Sequence, residues 1–185
     1  MTTGPVRPDA ESALSPERVA ALLDERTARL ARRGAAALAA PTRRVLLCRA
    51  GPELFGLPLE AVAEVSASRP CTPVPGAPPA LVGLSGRNGT LVSVLDLATC
   101  LGLGRTPDAD EAAHVVLLRR EAPRIALRVA RALGAVEAVA DDAAGQRHRH
   151  GVAGHARAGG QSLSLLDLNA LLLPYLTGAR SPVPA

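Results

Sequence analysis

A chain of 185 residues is long enough for one domain, or for two small ones that share a core. Hydrophobic residues make up 48% of it and aromatics 1%, so the core must be built from Leu, Val and Ala; with Phe55 and Tyr175 as the only aromatics, recognition of single-stranded nucleic acid by stacking is disfavoured. The net charge of +4 comes from 21 arginines without a lysine, set against 17 interspersed acidic residues, and such a dispersed balance is not the clustered footprint that phosphate binding needs.

Residues 1–14 are polar and proline-bearing and are expected to be disordered. Ser15-Pro16-Glu17 then opens a helix, with Ser as N-cap, Pro at the first helical position and Glu at the positive end of the dipole. The periodicity predicts an amphipathic helix over 16–33, with Val19, Leu22, Leu23 and Leu30 on one face, followed by an Ala-rich link to position 41. This segment, 1–41, is expected to stand outside the main domain, 42–176, and a short tail, 177–185, to follow it. No charged start leads into an apolar run, and no stretch has the length of a membrane span, so a cytoplasmic protein without direct membrane contact is expected.

From Thr42 the pattern turns to strands. Residues 45–48 and 54–59 read as a hairpin, with Gly56 marking a bulge or a close backbone approach, and 62–65 as a bent strand or helical turn. Residues 66–79 carry Pro70, Pro73, Pro75, Pro78 and Pro79 and can only cross between elements. A turn is predicted over Ser85-Gly86-Arg87-Asn88-Gly89, since Asn-Gly supplies positive φ angles. The apolar run 90–95 follows as a strand, and Asp96 caps a short helix over 97–101 that Gly102 terminates. Residues 105–112 read as an exposed connection, 115–118 and 125–129 as a second hairpin, 133–139 as a further apolar stretch and 141–160 as a long loop. The closing strand 163–166 leads into a helix over 169–176, so that Ser164-Leu165-Leu166-Asp167-Leu168 repeats the phrase Ser93-Val94-Leu95-Asp96-Leu97. Two similarly built halves are implied. Many short strands with turns between them argue for a mainly β fold of two small barrels.

Candidate chemistry is sparse. His148, His150 and His155 could form a metal site, but no carboxylate or thiol follows in ligand register. Cys48, Cys71 and Cys100 are odd in number and far apart, without a C-x-x-C pair, so reduced thiols are expected; Cys71 would be a nucleophile only with a base beside it in space. No phosphate loop, H-E-x-x-H or G-x-S-x-G is present.

The run from Gly83 to Leu97 resembles, without a gap, the signature segment of the CheW-like adaptor domains of bacterial chemosensory systems. Gly83, Gly89, Val92, Val94, Asp96 and Leu97 agree with it, whereas Gly86, Arg87 and Asn88 stand where that family has Asn, Leu and Arg, and Ser93 replaces a proline. Phe55-Gly56-Leu57-Pro58-Leu59 with Val62-Ala63-Glu64-Val65, and Thr72-Pro73-Val74-Pro75 with Ala77-Pro78, are similar to two further passages of the family. The resemblance covers roughly 43–176. It implies two intertwined five-stranded barrels with short helices, no catalysis, no cofactor and no metal. It further implies a role joining the helical tip of a chemoreceptor (a methyl-accepting protein) to a histidine kinase of the CheA type, with recruitment to membrane receptor arrays. Carried over by position, the partner-binding residues would be Val62, Glu64, Gly83, Arg87 and Asn88: Val62 meets an apolar helix face, and Glu64 and Arg87 orient it at the rim. Because the family's arginine is Asn88 here, its contact with Glu64 is expected either from Arg87 or not at all. A metal-dependent enzyme using the histidine loop, and an arginine-rich nucleic-acid binder, are the competing readings.

Overall fold

The structure is a computed structural model of the chain, and it describes residues 18, 23–28, 42–106, 113–141 and 150–177. The chain divides into two compact units, Met1–Ala40 and Pro41–Ala185. In the first, residues 18 and 23–28 are helical and exposed, with Leu23 57% accessible. The rest of the helix expected over 16–33, including Val19, Leu22 and Leu30, lies outside the described residues.

Among its described residues, the second unit holds ten strands and two short α-helices: β1 (Thr42–Ala50), β2 (Glu53–Pro58), β3 (Val62–Ala67), β4 (Leu81–Arg87), β5 (Thr90–Asp96), α1 (Leu97–Cys100), β6 (His114–Leu118), β7 (Ile125–Val129), β8 (Arg131–Ala140), β9 (Val152–Ala158), β10 (Gln161–Leu166) and α2 (Leu168–Leu176). A single 3-10 turn, Leu59–Ala61, leads into β3. The first sheet pairs in the cycle β1-β2-β10-β9-β8 and closes as a barrel. The second, in the order β3-β6-β7-β5-β4, also has five strands, but β3 and β4 remain its edges. Of the two small five-stranded barrels expected, both five-stranded sheets are present; the first closes, and in the second β3 and β4 do not pair with each other.

Three apolar clusters follow from this layout. Val45, Leu47, Ala138, Ala156, Ala158 and Leu163 fill the barrel. Val92, Val94, Val115, Leu117 and Ala126 line the second sheet. The largest cluster lies between them and draws Phe55 and Leu57 from β2, Leu97 from α1, Leu127 and Val129 from β7 and Leu171 from α2. A protein almost without aromatics thus packs Leu and Val through a shared middle layer in addition to the two smaller clusters.

Local chemistry explains the element ends. The reversal between β4 and β5 needs only Asn88 (φ 46°) and Gly89 (φ 74°), the two consecutive positive values of a tight primed turn. Ser85, Gly86 and Arg87 consequently belong to β4 instead of the five-residue turn expected. The loop expected over 141–160 is also corrected, because 152–158 form β9, paired with β10 and with β8. Gly159 and Gly160, both at positive φ, make its tight turn. Gly56 lies where a Cβ would come 2.7 Å from Leu163 Cδ1, so close approach is its reason; the bulge in this region is in β8, at Leu133, which is skipped where Leu47 and Cys48 pair with Gly134 and Ala132.

The two aspartates act as expected, in different settings. Asp96 is fully buried; Oδ1 accepts from Thr99 N (2.8 Å) and Thr99 Oγ1 (2.9 Å), and Oδ2 accepts from Thr106 N (3.2 Å). After α1, the amides of Gly102 and Leu103 donate to the carbonyls of Thr99 and Ala98, the paired bonds of a Schellman ending. Asp167 is exposed and accepts from Asn169 N (2.9 Å) and Ala170 N (3.1 Å). Its replacement by Ala should cost about 1 kcal/mol, the usual value of an exposed N-cap. Urea denaturation would measure this, and an unchanged midpoint would contradict it.

Candidate functional site

The five residues singled out by position fall on β3, β4 and the turn after β4, and the structure separates them into two groups. Arg87 and Glu64 come together. Arg87 Nη1 donates to Glu64 Oε1 at 2.7 Å, and Arg87 Nη2 donates to Ser66 Oγ. β3 and β4 are the end strands of the second sheet, and this one guanidinium clasps two strands that no backbone ladder joins to each other. Arginine suits the task, since its planar fork can serve two acceptors at once. Its side chain is 17% exposed and that of Glu64 46%, so the clasp sits at the rim between core and solvent. Asn88, next in the chain, is exposed in the turn. The contact with Glu64 is thus supplied from position 87, one residue before the family's arginine.

Val62 and Gly83 are placed differently. Val62 is 9% exposed and belongs to the main core cluster. In a regular strand it would share a face with Glu64. A register shift between Val62 and Glu64, which pair with Leu118 and Leu117, breaks that alternation and turns Val62 inward while Glu64 stays out. Gly83 is buried, and a Cβ there would lie 2.4 Å from the Thr72 carbonyl oxygen of the chain's own crossing segment. That segment is held by reciprocal bonds, Thr72 N to Leu84 O (2.9 Å) and Leu84 N to Thr72 O (2.8 Å). Replacing Gly83 by Ala should therefore destabilise the fold by about 1–3 kcal/mol, as overpacking against backbone does. Thermal and urea unfolding would report the loss, and wild-type stability would contradict this placement.

Beside the clasp runs a groove of ≈ 450 Å³, lined by Leu46, Val65, Ser66, Ala67, His114, Ala132, Leu133 and Gly134. It lies where β1 and β8 of the barrel meet β3 and β6 of the second sheet. Val65 and Leu133, 38% and 46% exposed, are among the large apolar residues left open to solvent. The position-by-position reading missed both. The signal available for Val65 was its place between Glu64 and Ser66 in a strand, which separates it from the face of its neighbours.

The other candidates do not converge. His148 lies outside the described residues. His150 is exposed in a turn, and His155 is on β9, with Nδ1 3.4 Å from Ser164 Oγ. Among the described residues, no group of three His, Cys, Asp or Glu side chains is placed to hold a metal ion. No disulfide joins the three cysteines. Burial pushes the Cys48 thiol up to about 12; burial does the same at Cys100, also to about 12, with a hydrogen bond to Tyr175 opposing it. A thiol raised above its ordinary 9.0 favours the fold fully below that pH, and this contribution is lost as pH rises from 9.0 through about 12. At neutral pH a thiol reagent should label the half-buried Cys71 in the native protein, and Cys48 and Cys100 only after denaturation. Mass spectrometry of labelled peptides checks this, and early labelling of Cys48 would contradict it. Among the described residues, no helix is long and apolar enough to cross a membrane.

The model of the CheW-like domain family matches residues 44–173. No curated protein matches the sequence. Among solved structures, the chain is similar to the scaffolding protein TtCheW from Thermoanaerobacter tengcongensis, at a TM-score of 0.60 and 18% identity, over 71% of this chain and 88% of that one. The likeness shows a common fold. The family match spans every strand of the barrel and of the second sheet, and with it the chain belongs to the CheW-like domain family of chemotaxis signal-transduction scaffolds.

Proposed function

We propose that the protein is a non-catalytic adaptor that joins the helical tip of a methyl-accepting chemoreceptor to a histidine kinase of the CheA type, acting in the cytoplasm at receptor arrays. The observation that carries this reading is the family match over 44–173, which takes in both sheets and so the whole two-part scaffold. The groove beside the clasp supports it. Its walls come from rigid strands, and exposed Val65 and Leu133 offer apolar contacts to the apolar face of a helix, the mode by which amphipathic helices dock. Glu64 and Arg87 adjoin it through Ser66, which lines the groove and accepts from Arg87, and with Asn88 they serve as orienting polar groups. Val62 and Gly83 serve by shaping β3 and β4 from inside.

Arg87 stabilises the clasp more than it touches a partner. Arg87→Ala should weaken receptor-tip binding by about 1 kcal/mol, the scale of a partly screened ion pair. Isothermal titration of the purified chain with a receptor-tip fragment, and separately with the kinase regulatory domain, tests the proposal. Saturable binding to both, with no turnover, is expected. Binding to neither would overturn it.

A further inference from the structure

The described strands form two copies of one plan. Each copy opens on a hairpin (β1–β2 and β6–β7), adds a third strand (β3 and β8), returns as a second hairpin (β4–β5 and β9–β10) and ends in an aspartate-capped helix (α1 and α2). The sheets do not follow the copies. The barrel takes its opening hairpin from the first copy and its other three strands from the second; the five-stranded sheet does the reverse. Position for position, the orders β8-β1-β2-β10-β9 and β3-β6-β7-β5-β4 are the same. The repeated sequence phrase sits at equivalent places in both. Ser164 begins the parallel contact of β10 with β2, opposite Phe55, and Ser93 begins that of β5 with β7, opposite Ile125.

Four of the nine strand pairings cross between the copies, and neither five-stranded sheet forms without two of them. The pairings β1 with β8, β3 with β6, and the two parallel ones join strands of different copies. The first copy keeps to itself its two hairpins, and the second its two hairpins and the two residue pairs of β8 with β9; isolated hairpins are marginal in water. The main core is likewise joint, setting Phe55, Leu57 and Leu97 of one copy against Leu127, Val129 and Leu171 of the other. The link through residues 107–112 therefore raises the effective concentration of one copy at the other; the recognition itself lies in strand edges and apolar side chains.

We infer that the two halves are each other's binding partners, and that the same surfaces pair in trans with a second copy of this chain by reciprocal strand exchange. Two full-length variants test this. One carries Phe55→Asp and Leu57→Asp, the other Leu127→Asp and Val129→Asp, all at positions fully buried in the native core. Each alone should lose the native circular dichroism spectrum. Refolded together, the intact first half of one and the intact second half of the other should form a species of twice 18.9 kDa on native mass spectrometry, with about half the wild-type sheet signal restored per chain, since one of the two modules is rebuilt. A mixture that behaves as the sum of its two separate components overturns the inference. So does separation of the halves, without denaturant, after the full chain is cleaved by a protease site placed within residues 107–112.

Discussion

Val65→Asp should abolish most of the affinity for a receptor tip while leaving the fold intact. Val65 is 38% exposed on an edge strand and lines the groove, so the free protein can solvate a carboxylate there. Once a helix covers the groove, that carboxylate has no partner. An unpaired charge buried in an interface costs roughly 2–5 kcal/mol, which is about thirty- to several-thousand-fold in affinity. Val62→Asp is no equivalent probe, because at 9% exposure in the main core it would injure the fold first. Titration of folded Val65→Asp protein with a receptor-tip fragment decides the matter. Wild-type binding would place the receptor elsewhere.

Asp96→Ala should be the most damaging single change among the capping residues, at about 2–4 kcal/mol. The cap itself contributes about 1 kcal/mol. The Thr106 amide, on a residue only 3% exposed, would then lose the carboxylate it donates to, and a buried unsatisfied donor costs a further ~1–3 kcal/mol. Asp167 lacks that second burden, since it is exposed and accepts only from the first turn of α2. Urea denaturation of the two alanine variants side by side gives the ranking. Equal losses would mean that the burial of Asp96 and its bond to Thr106 have no energetic consequence.

Where local chemistry dictates structure, the sequence was readable. Asn88-Gly89 marked a reversal, Asp96 and Asp167 marked helix starts, Gly102 a helix end, and the five prolines a crossing segment. Their effects operate within a few residues. The repeated phrase ending in Asp-Leu also pointed to two halves, and its two occurrences occupy the same position in the two sheets. β9 was hidden because its buried residues are Ala156 and Ala158, small and poor in strand propensity, among glycine, histidine and arginine. The Gly159-Gly160 turn was the cue that would have revealed it. Val62 was misplaced because a bulge at Ala63 shifts the alternation by one, and a bulge leaves no reliable mark in a run of Val, Ala and Glu. The clasp joins residues 23 apart across two end strands that do not pair with each other, so only its two alternatives, Arg87 or none, could be stated beforehand. Closure of a sheet is less legible still. It depends on long-range register, which closes the barrel through two residue pairs of β8 and β9 and leaves β3 and β4 to a side chain.

As the proposed adaptor, the chain bridges two partners. Co-sedimentation tests it most directly: receptor tips are assembled on vesicles, the CheA-type kinase is added with and without the chain, and pelleted kinase is quantified together with its autophosphorylation. The account predicts that the kinase pellets with the receptor only when the chain is present, that its activity then follows the receptor's state, and that Val65→Asp protein fails to recruit it. Kinase that pellets to the same extent without the chain, or a chain that pellets without bringing the kinase down, would contradict it.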